Sequence, residues 1–225
     1  MRMRFVFALL LCLFAAPARA DNYDVLFGKT MWLNTSRPVT ADDAKGRAVL
    51  LDFWTYGCIN CMQVIPDLKA LEKEFGDKLL VIGVHSAKFV GERDSDRIQA
   101  AAKRFGITHP VINDSEFTVW KAFDVKAWPT LVLLGPDGKE VGRYAGEGNR
   151  EAIAGEIKKL SLGDVKAAGL EVEHDDKTEL SFPARMKVAE DTRWGKMLFI
   201  VDTGHNRIIG KSIERNNNIG KTSII

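Results

Sequence analysis

One junction constrains this chain more than any other feature. The run Val49-Leu50-Leu51-Asp52-Phe53-Trp54 is apolar except for one acid, and Cys58-Ile59-Asn60-Cys61 follows it closely. Beyond the cysteines, Ile65, Leu68, Leu71 and Phe75 recur at steps of three and four, and Gly76 ends the pattern. A short continuous apolar run reads as a central strand buried on both faces, and the following spacing as one face of a helix. Pro66 is expected to kink that helix.

The alternation continues downstream. Leu79 to Val84 reads as a strand, and Asp94 or Ser95 as the cap of a helix that runs to Phe105 and stops at Gly106. Val111-Ile112 reads as a short strand, Ser115 as the cap of a brief helix through Phe123, and Thr130 to Leu134 as a buried strand. Gly135-Pro136-Asp137-Gly138 predicts a hairpin that returns through Glu140 to Tyr144, and a last helix spans about Arg150 to Leu160. The pattern argues for an α/β sandwich around a mixed sheet. A length of 225 residues allows one ordinary domain and a remainder, and 46% hydrophobic with 28% charged residues excludes a disordered or collagen-like chain.

Residues 1–20 carry Arg2 and Arg4, the apolar run from Phe5 to Ala16, and small residues at Ala18 and Ala20. This is the pattern of a secretory signal cleaved after Ala20. Twelve apolar residues rise only about 18 Å as a helix, too short for a stable span, so a retained anchor is the weaker reading. Cys12 follows the bulky Leu11 and reads as an apolar signal cysteine. The mature chain is expected outside the cytoplasm, periplasmic before secreted or signal-anchored. Cleavage removes three arginines and leaves 29 basic against 30 acidic residues. No basic block tracks phosphate, so nucleic acid is not the expected partner. Cleavage also reduces three cysteines to two.

Those two stand where a helix begins. Unpaired backbone N–H groups and the positive end of the helix dipole favour a thiolate at Cys58. Cys61, one turn inward, is placed to resolve a mixed disulfide. Asp52, inside the apolar strand, is expected to hold its proton through desolvation and to accept one from Cys61. Trp128-Pro129-Thr130 opens a later strand, where Pro129 is a candidate cis proline that leaves an edge open to a substrate backbone.

Together these residues resemble the thioredoxin superfamily. Leu50 to Trp54 with Cys58-x-x-Cys61 matches its active-site strand and helix, Pro66 its helix kink and Pro129 its cis proline. The resemblance spans about Asp24 to Leu160, and the 67 residues between Cys61 and Pro129 leave room for an extra strand and helix, Val111 to Phe123. That insertion is similar to the extracytoplasmic thiol-disulfide interchange branch. Gly57 stands where the family commonly has tryptophan, and Ile59-Asn60 replaces Gly-Pro. This dipeptide tunes the potential, so reductant, oxidant and isomerase all stay open.

A narrower resemblance is to thioredoxin-like proteins with C-terminal NHL repeats, carried by Trp32-Leu33-Asn34-Thr35, Asp52 to Cys61 and Gly83 to Phe89. Ser181-Phe182-Pro183 and Leu198 to Ile208 resemble one NHL repeat, and the polar residues from Glu214 onward do not continue it. A propeller closes with about four to eight blades, so the tail is expected to be a truncated or frameshifted array. The division expected is a signal at 1–20, a thioredoxin-like domain at 21–160, an acidic linker at 161–180 and a partial NHL-repeat-like segment at 181–225.

A zinc site needs about four ligands, and His85, His109, His174 and His205 are not spaced to complete one with two cysteines. No metal and no bound cofactor is expected beyond a redox-active Cys58–Cys61 disulfide. Trp54 and Trp128 are groove candidates that also suit core and rim packing, His109 before Pro110 suits a turn, and His205 suits a blade turn. The expected activity is disulfide exchange with protein thiols, with Cys58 attacking, Cys61 resolving and Asp52 relaying the proton, plus an unidentified recycling partner. The alternative is a non-catalytic binding protein whose thioredoxin-like domain supports a partner-binding propeller.

Overall fold

The computed structural model describes residues 22–28, 30–170, 172, 183–192, 195–202, 207–214 and 219–224. Residues 1–20, expected to be a signal, most of the acidic stretch at 171–180 and His205 lie outside these. Among the described residues no helix is long and apolar enough to cross a membrane.

The strands are β1 (Met31–Leu33), β2 (Ala48–Trp54), β3 (Leu79–His85), β4 (Val111–Asn113), β5 (Thr130–Leu134) and β6 (Glu140–Ala145). They form one sheet in the order β1-β4-β3-β2-β5-β6. The β2–β3 and β3–β4 pairs are parallel, and β1–β4, β2–β5 and β5–β6 are antiparallel. Helices α1 (Asn22–Phe27), α2 (Ala41–Ala44), α3 (Ile59–Phe75), α4 (Ser95–Phe105), α5 (Thr118–Ala122) and α6 (Arg150–Lys159) complete this unit. It is a thioredoxin-like α/β fold with a mixed sheet, as expected.

Strand alternation divides the core. Val49, Leu51 and Phe53 pack with Leu26, Ile82, Val84, Ile112 and Phe123 on one face. Leu50 packs with Val64, Leu68, Leu71, Ile153 and Ile157 of α3 and α6 on the other. Asp52 therefore points to the α3 side. Helix α3 carries Pro66 inside it and ends on Gly76 at φ 52°, a backbone region that favours glycine. Asp94 caps α4 by accepting from the Arg97 N–H at 2.9 Å, and Gly106 closes that helix in the left-handed region.

One cap differs from the sequence reading. Helix α5 begins at Thr118, not after Ser115, and its N–H groups at Val119 and Trp120 donate to the Asp114 carboxylate at 3.0 and 2.9 Å. The preceding Phe117 is left-handed at φ 59°, so the chain turns late and the reach of an aspartate is required. Residues 161–170 have no regular structure, yet Leu162 and Leu170 pack on the two core faces and Arg37 donates to the Ala168 carbonyl at 2.7 Å.

A second, four-stranded antiparallel sheet comprises β7 (Pro183–Thr192), β8 (Gly195–Asp202), β9 (Arg207–Ile213) and β10 (Ile219–Ile224), in the order β10-β9-β8-β7. It is a small β extension. The polar stretch that breaks the apolar pattern after Glu214 is followed by β10, which pairs with β9, because main-chain bonding at an edge strand does not require an apolar sequence. Asp202 is fully buried and accepts from Arg207 Nε at 2.8 Å.

Candidate active site

The end of β2 delivers Trp54, and residues 55–57 bridge to Cys58, the N-cap of α3. The Cys58 N–H donates to the Thr55 carbonyl at 3.1 Å, and the Cys61 N–H donates to Cys58 Sγ at 3.3 Å. Cys58 is half-buried and Cys61 buried, and both are free thiols. Burial and the neighbouring Cys58 push the Cys61 thiol well above its ordinary range, with the Asp52 carboxylate adding to the effect. Cys61 therefore requires a base before it can attack.

Asp52 is that neighbour. Its carboxyl is fully buried, and desolvation raises its pKa to about 7, opposed by the charge of His109. Its Oδ1 has no hydrogen-bond partner. The sequence expectation that desolvation would raise the Asp52 pKa rests on the same physics.

The Trp128–Pro129 peptide is cis. The antiparallel register Phe53↔Thr130 sets Pro129 at the same end of the sheet as the cysteine loop. Trp128 is partly exposed, packs against Trp120 with the rings tilted at 39° and their centroids 4.5 Å apart, and donates from Nε1 to the Ser86 carbonyl at 3.0 Å. Trp54 is a correction. At 1% exposure it offers a substrate no surface, and its ring lies edge-on to His85 within the core that holds Cys61, Ile65 and Ile98.

Two buried polar residues beside the cysteines were not picked out as site residues from the sequence. Glu92 lies in a short 3-10 turn (Val90–Glu92) and accepts from Thr55 Oγ1 at 2.5 Å and from the Lys88 and Phe89 N–H groups at 2.9 and 3.3 Å. His85 closes β3, accepts the Tyr56 N–H on Nε2 at 3.2 Å and stacks on the Tyr56 ring. Burial lowers its pKa to about 4, so it is neutral at ordinary pH. Glutamate and histidine rarely sit buried, and only the histidine had a signal, closing an apolar strand. His109, expected to fix a turn, accepts the Asn34 side-chain N–H on its carbonyl at 2.8 Å and also pairs its ring with Glu72.

Ile59, beside Cys58, and Phe89 and Val90, in the segment that carries Glu92, are strongly exposed. Tyr56, Met62, Arg97, Ala100, Arg104 and Phe105 line a neighbouring depression. Among the described residues no group of three or more His, Cys, Asp or Glu side chains is placed to hold a metal ion.

Comparison with known proteins agrees with this geometry. Residues 46–140 match a thioredoxin-like family model. The NHL repeat-containing protein 2 of Gallus gallus is 41% identical over 194 residues, which cover 79% of this chain and 26% of that protein. The chain thus spans about a quarter of the length of that curated relative. A thiol-disulfide isomerase of Corynebacterium glutamicum superposes with a TM-score of 0.52 over 58% of this chain and 90% of that one, at 17% identity. An exposed lipoprotein thioredoxin of Streptococcus pneumoniae superposes with a TM-score of 0.50 at 27% identity, covering 58% of this chain and 99% of that one.

Proposed function

Residues 46–140 belong to the thioredoxin superfamily, and from that premise we propose that the chain is an extracytoplasmic oxidoreductase exchanging disulfides with protein thiols. One observation carries the reading: Cys58 sits partly open at the N-cap of α3, while Cys61 lies buried behind it on the same side of the sheet as the proton-holding Asp52.

The reaction balances as follows. Cys58 thiolate attacks one sulfur of a substrate disulfide, forming a mixed disulfide and expelling the other substrate sulfur as a thiolate. Cys61 then gives its proton to the Asp52 carboxylate and attacks Cys58 Sγ. The Cys58–substrate bond breaks, the Cys58–Cys61 disulfide forms, and the second substrate sulfur leaves. The substrate gains two electrons and the protein loses two. Run backwards, the same steps oxidise a dithiol. No bound cofactor is required, and a recycling thiol or disulfide partner restores the pair.

Pro129 has no N–H to donate, so the strand edge beside the cysteines is left to a substrate backbone, while Trp128 borders it. The exposed Ile59, Phe89 and Val90 suit an apolar protein segment. The leader at 1–20 and the likeness to an exposed lipoprotein thioredoxin support a place outside the cytoplasm. Under this reading residues 21–160 are the catalytic domain, 161–180 a linker and 181–225 a partial NHL-repeat-like segment. The test is insulin-disulfide reduction by dithiothreitol: Cys58→Ser abolishes it, and a variant as fast as the parent sinks the assignment.

A second reading has one observation in its favour, the four-stranded antiparallel sheet shared with a likeness to an NHL-repeat protein. Here the domain supports a partner-binding propeller and the cysteines stay oxidised. A reduction potential below about −300 mV favours this reading, since such a bridge resists physiological thiols.

A further inference from the structure

His109 is linked to Glu72 on one side and faces a gap beside Asp52 on the other. Glu72, on α3, accepts from Thr108 Oγ1 at 2.6 Å through Oε2, and its Oε1 lies 3.3 Å from His109 Nδ1. In a neutral ring that contact takes the proton on Nδ1 and leaves Nε2 as an acceptor.

Nε2 faces inward. A Cβ on Gly83 would lie 3.5 Å from it and 3.0 Å from Trp54 Nε1. Gly83 is the register partner of Asp52 across the parallel β2–β3 pair, so the two residues face the same side of the sheet. Asp52 Oδ1, Trp54 Nε1 and His109 Nε2 are all buried without a hydrogen-bond partner. Three orphaned polar atoms on the face left open by one glycine are rarely accidental, since buried polar groups are normally paired.

We infer that His109, held by Glu72, is a positioning residue for the resolving step, taking onward the proton that Asp52 receives from Cys61. This rests on the activity proposed above. Protonated Asp52 donates to His109 Nε2, directly or across one buried water. The imidazolium passes its Nδ1 proton to the Glu72 carboxylate, whose side chain is partly exposed and hands it to solvent. Atoms balance: one proton leaves Cys61 and one reaches water, Asp52 returns to the carboxylate, and His109 ends neutral with its proton on Nε2; when the pair is reduced again Cys61 takes its proton back along the same path, which restores Nδ1–H.

The groups bearing on this path are few. From α3 come Cys61, Lys69 and Glu72, from β2 comes Asp52, and β3 and β4 present Gly83 and the apolar Val111. Burial alone would raise Glu72, yet it is held below its ordinary range by the His109 ring, the Thr108 hydroxyl and Lys69. It stays anionic opposite His109 Nδ1 and is placed to take that proton onward.

The experiment is a carboxyl-carbon NMR titration of Asp52 in the reduced full chain, for the parent, His109→Gln and Glu72→Gln. Loss of the base that takes the proton from Asp52, and so opposes its protonation, raises the Asp52 midpoint by about one pH unit in His109→Gln. Glu72→Gln, which keeps the imidazole in place, raises it in the same direction. If His109→Gln does not fold, Glu72→Gln decides alone. A midpoint unchanged in every folded variant overturns the inference. The titration uses no substrate, so failure of the insulin assay would remove the proposed activity without touching this result.

Discussion

Glu92 leaves no room for a side chain at Gly57: a Cβ there would lie 2.2 Å from Glu92 Oε1. The carboxylate cannot swing away cheaply, since its other oxygen holds the Thr55 hydroxyl and two main-chain N–H groups. The loop before Cys58 and the loop after β3 are thereby joined through one buried acid. A glycine in the position that commonly holds tryptophan in this superfamily is the consequence.

Gly57→Ala should therefore cost about 1–3 kcal/mol, the range of overpacking a filled site. Glu92→Ala removes the obstacle but strands the Thr55 hydroxyl, so it is destabilising by itself. The double variant should be less damaged than the sum of the two singles. Urea unfolding of all four proteins measures the coupling, and strict additivity would show that the two residues do not meet.

Asp52 makes stability depend on pH in a definite direction. Its folded pKa of about 7 exceeds the unfolded value near 3.9, so the folded chain binds the extra proton between those limits. Stability is unaffected by Asp52 below about pH 4, falls as pH rises toward 7, and levels off above. Three pH units correspond to at most about 4 kcal/mol. Asp52→Asn removes this dependence, so its stability advantage over the parent should grow from pH 4 to pH 8. Disulfide exchange by the same variant should be slowed at the resolving step, seen as accumulated mixed disulfide.

His85 acts at the acid end with the opposite sign of shift. Its folded pKa of about 4 lies below the unfolded 6.5, so the unfolded chain binds more protons between them and stability is lost as pH falls through that window. Protonation also costs the acceptor that Nε2 offers the Tyr56 N–H. His85→Phe keeps the ring stacking and removes the acceptor, with an expected loss of about 1–3 kcal/mol near pH 7 and a flatter acid limb. Thermal unfolding between pH 4 and 7 reads both.

The strand Ala48–Trp54, the helix Ile59–Phe75 and the hairpin around Gly135 were legible because apolar period and turn residues act over a few neighbours. The cysteine pair and Asp52 were legible for the same reason, lying within ten residues on two adjoining elements. Glu92, His85 and the Glu72–His109 pair were not recognised as partners, since each meets its counterpart only after distant segments fold together. Met31–Leu33 was not read as a strand because three residues without flanking turn signals carry little pattern, and its place at the sheet edge is set by pairing with Val111–Asn113. Trp54 misled because an aromatic beside an active loop reads equally as wall or floor, and burial alone separates them.

Asp114 offers the sharpest test of how the Trp128 side of the site is held. It accepts from Ser86 Oγ at 3.0 Å as well as from the Val119 and Trp120 N–H groups, and the Ser86 carbonyl in turn receives the Trp128 indole. Asp114→Ala leaves three buried or half-buried donors without their acceptor, for an expected loss of about 2–4 kcal/mol. Asp114→Asn keeps one acceptor oxygen and should recover part of that loss. Because Trp120 packs against Trp128, the alanine variant should also shift tryptophan fluorescence in the folded state. An Asp114→Ala protein with parental stability and spectrum would mean that α5 is held by its apolar face alone, through Val119 against the sheet.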